Sequence, residues 1–238
     1  MAAAQRARWA KVKGQKATPM TARKSTMSPV ESNIHYPTDR SLLNDGARVL
    51  TRTMQQIEQR AGGLKRKVRD RKRSVRKRVI AMAHALRHKA PEGEQKRKRE
   101  YRQLLRLTRQ ILNDSKRVLK ESEGWPAHRR RGVRGLGERL EAMAEQVRRV
   151  VRQTKARIFA GVTKFPDKLV SLFEPHTEII RKGKAGKPNE FGKLVQLQEA
   201  ENQIITYYEG FEERPADQTL LLPAMAAQQR RLGRGFRR

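Results

Sequence analysis

Cysteine is absent from the 238 residues, which excludes disulfides and thiolate metal sites and fits a reducing compartment. Long apolar runs are absent too. None approaches the roughly 20 residues that a membrane-spanning helix needs. The opening residues, MAAAQRARWAKVKG, have no hydrophobic core of the kind a secretory signal carries. Acids are the third shortage. Asp and Glu number 24 against 56 Lys and Arg, a formal net charge of +32. A soluble domain carries such a charge when a polyanion neutralises it. Nucleic acid is the first candidate, because phosphate contacts release counterions and give sequence-independent affinity. An anionic membrane surface is the second.

Residues 1–29 show no apolar periodicity, and Pro19 and Pro29 oppose a long helix, so the segment reads as a disordered basic arm. Val30–Tyr36 reads as a short strand ended by Pro37. Thr38 or Asp39 then caps a helix, since each side chain accepts from an orphan N–H of the first turn. Its apolar positions are Leu42, Leu43, Val49, Leu50, Met54 and Ile57, and Gly62 and Gly63 stop it. A second helix is expected over Leu64–Lys89, with a thin stripe of Val68, Val75, Val79, Met82 and Leu86. The third, Glu94–Ser122, is the most regular. Tyr101, Leu104, Leu105, Thr108, Ile111, Leu112, Ser115, Val118 and Leu119 repeat at nearly heptad spacing. That stripe suits packing against a neighbouring helix of the chain better than dimerisation, because the loops are short. Gly124–Gly132 reads as a loop. A fourth helix, Val133–Phe159, carries Leu136, Leu140, Met143, Val147, Val150, Val151 and Ile158 on one face. Four such helices joined by short Gly/Pro loops make an antiparallel hairpin or bundle.

After Gly161 the period changes to two. Strands are expected at Leu169–Glu174, Glu178–Arg181, Phe191–Gln198 and Gln203–Phe211, with a turn at Glu199–Asn202. Asp217 is placed to cap a short helix containing Leu220, Leu221 and Leu222, which Pro223 kinks or ends.

Two groups of residues carry the charge. Leu64–Ile80 holds ten basic residues and one acid, Asp70. The candidates for DNA contact there are Lys65, Arg66, Lys67, Arg69, Arg71, Lys72, Arg73, Arg76, Lys77 and Arg78. Arg181, Lys182, Lys184 and Lys187 lie in a Gly/Pro loop beside a strand. They read equally as a backbone-contacting loop or as an ordinary polar hairpin. His84 and His88 stand four apart, a zinc spacing, but no Cys or zincin Glu accompanies them, so they read as surface histidines. His35 reads as structural, and Asp217 as an N-cap rather than a ligand.

Two blocks resemble a known family. Val30–Arg52 reads VESNIHYPTDRSLLNDGARVLTR. Val170–Pro223 reads VSLFEPHTEIIRKGKAGKPNEFGKLVQLQEAENQIITYYEGFEERPADQTLLLP. In this order they resemble the core of bacterial insertion-sequence transposases of the DDE type, whose fold is RNase H-like. The resemblance is strongest over Glu31–Pro37 and Arg181–Gly192. It implies a first strand bearing an Asp in an Asp-Thr-Thr setting, then a long helical insertion. Further strands follow, with Arg-Lys-Gly-Lys and Glu-Phe-Gly patches, and then a helix before a strand with the second Asp. It also implies divalent metal, magnesium, as the cofactor of the intact family.

The residues depart from that pattern where catalysis would sit. Aligning Val30-Glu31 places Thr26 where the first Asp is expected, and Glu31 is a poor substitute. The chain ends soon after the Pro223 helix, ahead of the strand expected to carry the second Asp. Without those acids a two-metal phosphoryl transfer has no cradle, so no catalytic or metal-ligating residue is assigned. The expectation is an α+β chain, an incomplete RNase H-like sheet with a long basic helical insertion. Its parts are the arm 1–29, a strand remnant at 30–39, the insertion 40–160, strands and a core helix at 161–228, and a basic tail at 229–238. The expected partner is DNA, with no membrane, in a bacterial cytoplasm at the nucleoid. A homodimer or a complementing transposase chain is the other expected partner. The expected function is that of a transposase fragment that binds DNA without cutting it. A self-standing basic helical nucleic-acid-binding protein is the alternative, and a frameshift product is a third reading.

Overall fold

A computed structural model of the chain describes residues 22–32, 34, 36–85, 91–166, 168–181, 189–200, 205–211, 219, 220, 222, 223, 226 and 230. The fold is α+β. The chain divides into a helical unit, residues 33–177, and a sheet unit built from the segments on either side of it.

The helical unit holds α1 (Asp39–Arg60), α2 (Lys72–Ala85), α3 (Pro91–Glu123) and α4 (Ala127–Phe159). Thr38 caps α1. Its hydroxyl accepts from the Ser41 N–H, while the Ser41 side chain accepts from the Thr38 N–H in return. Gly62 and Gly63, at φ +70° and +113°, turn the chain off the end of α1. α3 and α4 are antiparallel neighbours, because only residues 124–126 join them. Most of the apolar positions read from the sequence face one core, where Leu43, Leu50, Leu104, Ile111, Val118, Leu140, Val147 and Val150 are fully buried; Val49 is not part of it, and Leu86 lies outside the described residues. The stripe of the third helix is spent on this core within the chain. Two hydroxyls in it, on Thr108 and Ser115, donate to the carbonyls of Leu104 and Ile111 four residues back, so neither is left unsatisfied.

Three expectations are corrected here. The helix expected over 64–89 begins only at Lys72, and Leu64–Arg71 is an irregular strap. Long-range bonds hold the strap extended. The Lys65 N–H donates to Glu121 Oε1, and Arg117 donates to the Arg66 carbonyl. Asp70 then accepts from the Lys72 N–H and starts α2. Second, the loop expected at 124–132 shrinks to three residues, because Pro126 is pre-set for entry into α4. Third, 169–174 is not a strand. Leu169 and Leu172 bury themselves in the helical core instead. The Gln153 amide donates to the Leu169 carbonyl and accepts from its N–H, taking the place of a neighbouring strand.

The sheet unit has four antiparallel strands, β1 (Ala22–Glu31), β2 (Glu178–Arg181), β3 (Asn189–Ala200) and β4 (Ile205–Gly210). β3 is central. β1 pairs along one edge, from Glu31 opposite Gly192 to Ala22 opposite Ala200. β2 and β4 follow one another along the other edge, against 189–192 and 195–199. The first strand therefore begins at Ala22, inside the stretch read as a disordered arm, and ends at Glu31 rather than Tyr36. Pairing with β3 supplies the order that periodicity did not reveal. Pro29, lacking an N–H, is accommodated on this outer strand. Gly192 lies where β1 runs closest. A Cβ there would meet the Val30 carbonyl, so only glycine fits. Even positions of β3 from Glu190 to Gln198 are buried and odd ones half-buried, the period-two pattern. The turn expected at Glu199–Asn202 does not begin there, because Glu199 and Ala200 continue β3, and 201–202, the Asp217 cap and His35 lie outside the described residues. Residues 219, 220, 222 and 223 are helical.

Candidate nucleic-acid interface

The basic residues of the helical unit divide into those spent on the fold and those left over. Arg71 lies 2.5 Å from Asp114, with both side chains largely buried, and also donates to Gln110. Arg78 reaches the buried Glu100 at 3.0 Å. Arg117 bonds Asp114 and approaches Glu121. These cations bind the strap and α2 to α3. Arg71 and Arg78, both among the residues expected to contact DNA, each have a carboxylate partner within the fold. Lys72 pairs with Asp70 at the surface. Lys72 also helps to hold the Asp70 carboxyl below its ordinary value, against a rise from partial burial.

Lys65, Arg66, Lys67 and Arg69 on the strap, and Arg73, Arg76 and Lys77 on α2, are exposed. The strap is fixed to the half of α3 containing Gln110, Asp114, Arg117 and Glu121, so its cations lie beside that helix.

α3 adds cations that the density of the basic run did not single out. Arg99, Arg102, Arg106, Arg109, Lys116 and Lys120 are all exposed, and their spacing of three, four or seven residues places them on one face. Asn113 fills the gap, and no acid interrupts the stripe. Among the described residues Arg99, Arg106, Arg109, Lys116 and Lys120 have no ion pair. Two exposed acids of α3, Glu92 and Glu123, lie on this face beyond its ends, seven residues before Arg99 and three after Lys120, and the others lie elsewhere. Glu100, Asp114 and Glu121 face the strap and α2, and Glu94 sits near the start of the helix with Lys98. Hydrogen bonding from Lys98 holds the Glu94 carboxyl low, as bonding from Arg148 does for Glu145 on α4. Both acids are thus ionised and already neutralised by neighbours. The signal for the stripe was in the sequence, as the complement of the heptad stripe.

Of the remaining expected residues, Arg181 is exposed at the end of β2, while Lys182, Lys184, Lys187 and His88 lie outside the described residues. His84 is exposed on α2. Among the described residues no three His, Asp or Glu side chains converge in a metal-binding group, and no helix is long and apolar enough to cross a membrane. No family model, curated protein or solved structure matches the chain, so its function is read from its own residues.

Proposed function

We propose that the chain is a fragment of a DDE-type insertion-sequence transposase that binds duplex DNA through its helical unit and does not cut it. The observation that carries the binding is the stripe of exposed cations on α3 without carboxylate partners. From Arg99 to Lys120 it runs about 32 Å at the helical rise. That length passes about nine phosphates of one strand. Contacts of this kind supply affinity and no sequence preference. The strap cations widen the same surface.

Chain order supports the descent. β1 precedes the helical unit, and β2, β3 and β4 follow it. That is the family's order of first strand, helical insertion and further strands. β1, β3 and β4 would be the first three strands of an RNase H-like sheet.

The residues present do not fit a magnesium pair. Position 26 in β1 is Thr, and a hydroxyl is a poor stand-in for the carboxylate that a hard cation prefers. Glu31 is five positions along the same strand, so its parity assigns it to the other face. No cleavage step runs through them. On this reading the chain works at the bacterial nucleoid, and a second chain would have to bring the acids.

Titrating labelled duplex at several salt concentrations tests the binding. Six phosphate contacts give a slope of log K against log salt near −5. Arg106→Glu with Lys116→Glu lowers both affinity and slope. Affinity independent of salt refutes the reading. Plasmid incubated with the chain and magnesium stays uncut, and nicking above the buffer control refutes the catalytic half.

One observation favours the second reading, a self-standing basic helical nucleic-acid-binding protein: the helical unit closes a core of its own. Translating the flanking nucleotides in all three frames separates the two. An Asp-Thr-Thr strand ahead of Val30 and a second Asp strand beyond Pro223 support the transposase. Their absence supports the self-standing protein.

A further inference from the structure

One groove has a chemistry that the rest of the basic face lacks. It lies between α3 and the last turns of α4, encloses about 320 Å³, and is lined by Arg102, Leu105, Arg109, Lys155 and Phe159. Phe159 is 39% exposed, and the Arg102 guanidinium stands 5.4 Å from its ring centre. Arg109 and Lys155 are exposed and have no ion pair among the described residues. No acid lines the groove, and Glu100, Asp39 and Glu145 are paired with Arg78, Arg157, and Arg148 and Arg152. Three cations thus line one groove with a half-exposed aromatic ring, and none of them has a carboxylate partner among the described residues. A surface for duplex phosphates needs charge alone. Stripe positions Arg99, Arg106, Lys116 and Lys120 supply that without an aromatic. A ring beside cations fits a group with both a flat apolar face and a negative charge.

We infer that this groove takes one unpaired nucleotide of a bound DNA strand. The base stacks on Phe159 beside the Arg102 guanidinium, and Arg109 and Lys155 hold its phosphate. The inference rests on the DNA-binding reading and adds to it a preference for frayed, gapped or overhanging DNA over a closed duplex.

Three labelled duplexes of equal length and charge decide it: one blunt, one with a single-strand overhang, and one with the same overhang lacking its bases. At fixed salt the base-bearing overhang binds at least about fivefold more tightly than the abasic one, as stacking of one base on an aromatic provides. Phe159→Ala abolishes that ratio and leaves blunt-duplex affinity unchanged, whereas Phe159→Trp keeps it. Arg109→Ala with Lys155→Ala weakens both overhang probes alike. Equal binding of the base-bearing and abasic overhangs by the unmodified chain overturns the inference and leaves duplex binding standing. So does a ratio that survives Phe159→Ala. Failure to bind any of the three probes overturns the DNA-binding reading along with it. The comparison between probes uses the unmodified chain, so it holds even where a variant folds poorly.

Discussion

Gly46→Ala sets two effects of known size against each other at one position in α1. Glycine within a helix costs about 1 kcal/mol relative to alanine, so propensity alone makes the substitution stabilising. Packing opposes it. Gly46 is buried where α1 meets α4, and a Cβ there would fall inside van der Waals contact of Val147 Cγ2 and 3.4 Å from Leu172 Cδ1. Val147 cannot easily give way, since it is fully buried and a β-branched side chain in a helix has one strongly preferred rotamer. α1 and α4 must then separate, and overpacking of this kind costs about 1–3 kcal/mol. The clash offsets or outweighs the gain, with a net loss of up to about 2 kcal/mol. Urea unfolding followed by far-ultraviolet circular dichroism reads it. Two companions sharpen the test. Val147→Ala in the same chain frees room for the new methyl, so the pair couples favourably by at least about 1 kcal/mol. Gly135→Ala, in α4 with nothing within 4 Å of the added Cβ, gains up to about 1 kcal/mol. A stabilising Gly46→Ala of the same size as Gly135→Ala refutes the packing of α1 on α4.

Asp39→Ala removes a buried carboxylate that accepts from Arg157 Nε at 2.6 Å and from Gln153 at 3.3 Å. The Arg157 side chain is 42% exposed, so solvent limits that pair to about 1 kcal/mol. Loss of the acid from the first turn of α1 adds about 0.3–1 kcal/mol. A drop of about 1–2 kcal/mol in urea unfolding is expected, and no change refutes the network. Tyr101 gives a pH prediction. Burial pushes its hydroxyl above the ordinary 10.0, partly offset by the charge of Arg157. The folded state therefore holds this proton more tightly than the unfolded chain. The contribution is complete below pH 10.0 and is lost as pH rises through the higher folded value. Alkaline unfolding of Tyr101→Phe compared with the unmodified chain isolates the effect, and identical alkaline profiles refute it.

The helices were legible where one face decides everything. Tyr101, Leu104, Thr108, Ile111, Ser115 and Val118 repeat at the period of a helix, and each is buried. The Thr38 cap was legible because its chemistry is local. Leu64–Arg71 and 169–174 were not. Their conformations are fixed by partners about fifty and sixteen residues away, Glu121 and Arg117 for the strap and Gln153 for Leu169. An apolar run such as Leu169–Leu172 has the same pattern whether a strand or a distant amide satisfies its backbone. Periodicity missed most of β1 for a related reason, since its order comes from β3, more than 160 residues later, and only the resemblance placed a strand at Thr26. At the candidate interface the sequence located the basic run but not which cations were free, because burial of Asp114 and Glu100 against Arg71 and Arg78 is a tertiary fact.

The scarcity of acids explains why a clean basic face exists at all. Each carboxylate on the inner flanks of α3 has a structural task. Asp114 and Glu121 fix the strap and Glu100 fixes α2. The acids left on the outward face, Glu92 and Glu123, stand beyond the two ends of the stripe. With 24 acids against 56 cations, the interior struts take the central acids of α3, and cations without a carboxylate partner among the described residues stay exposed on its outward face as well as on the strap and α2. Mutual repulsion along that face destabilises the free chain, and a polyanion relieves it. Bound DNA should therefore raise the unfolding midpoint of the helical unit at low salt and lose that effect as salt rises, as linkage to ligand binding requires. A midpoint unmoved by saturating duplex at low salt would contradict both the location of the face and its role.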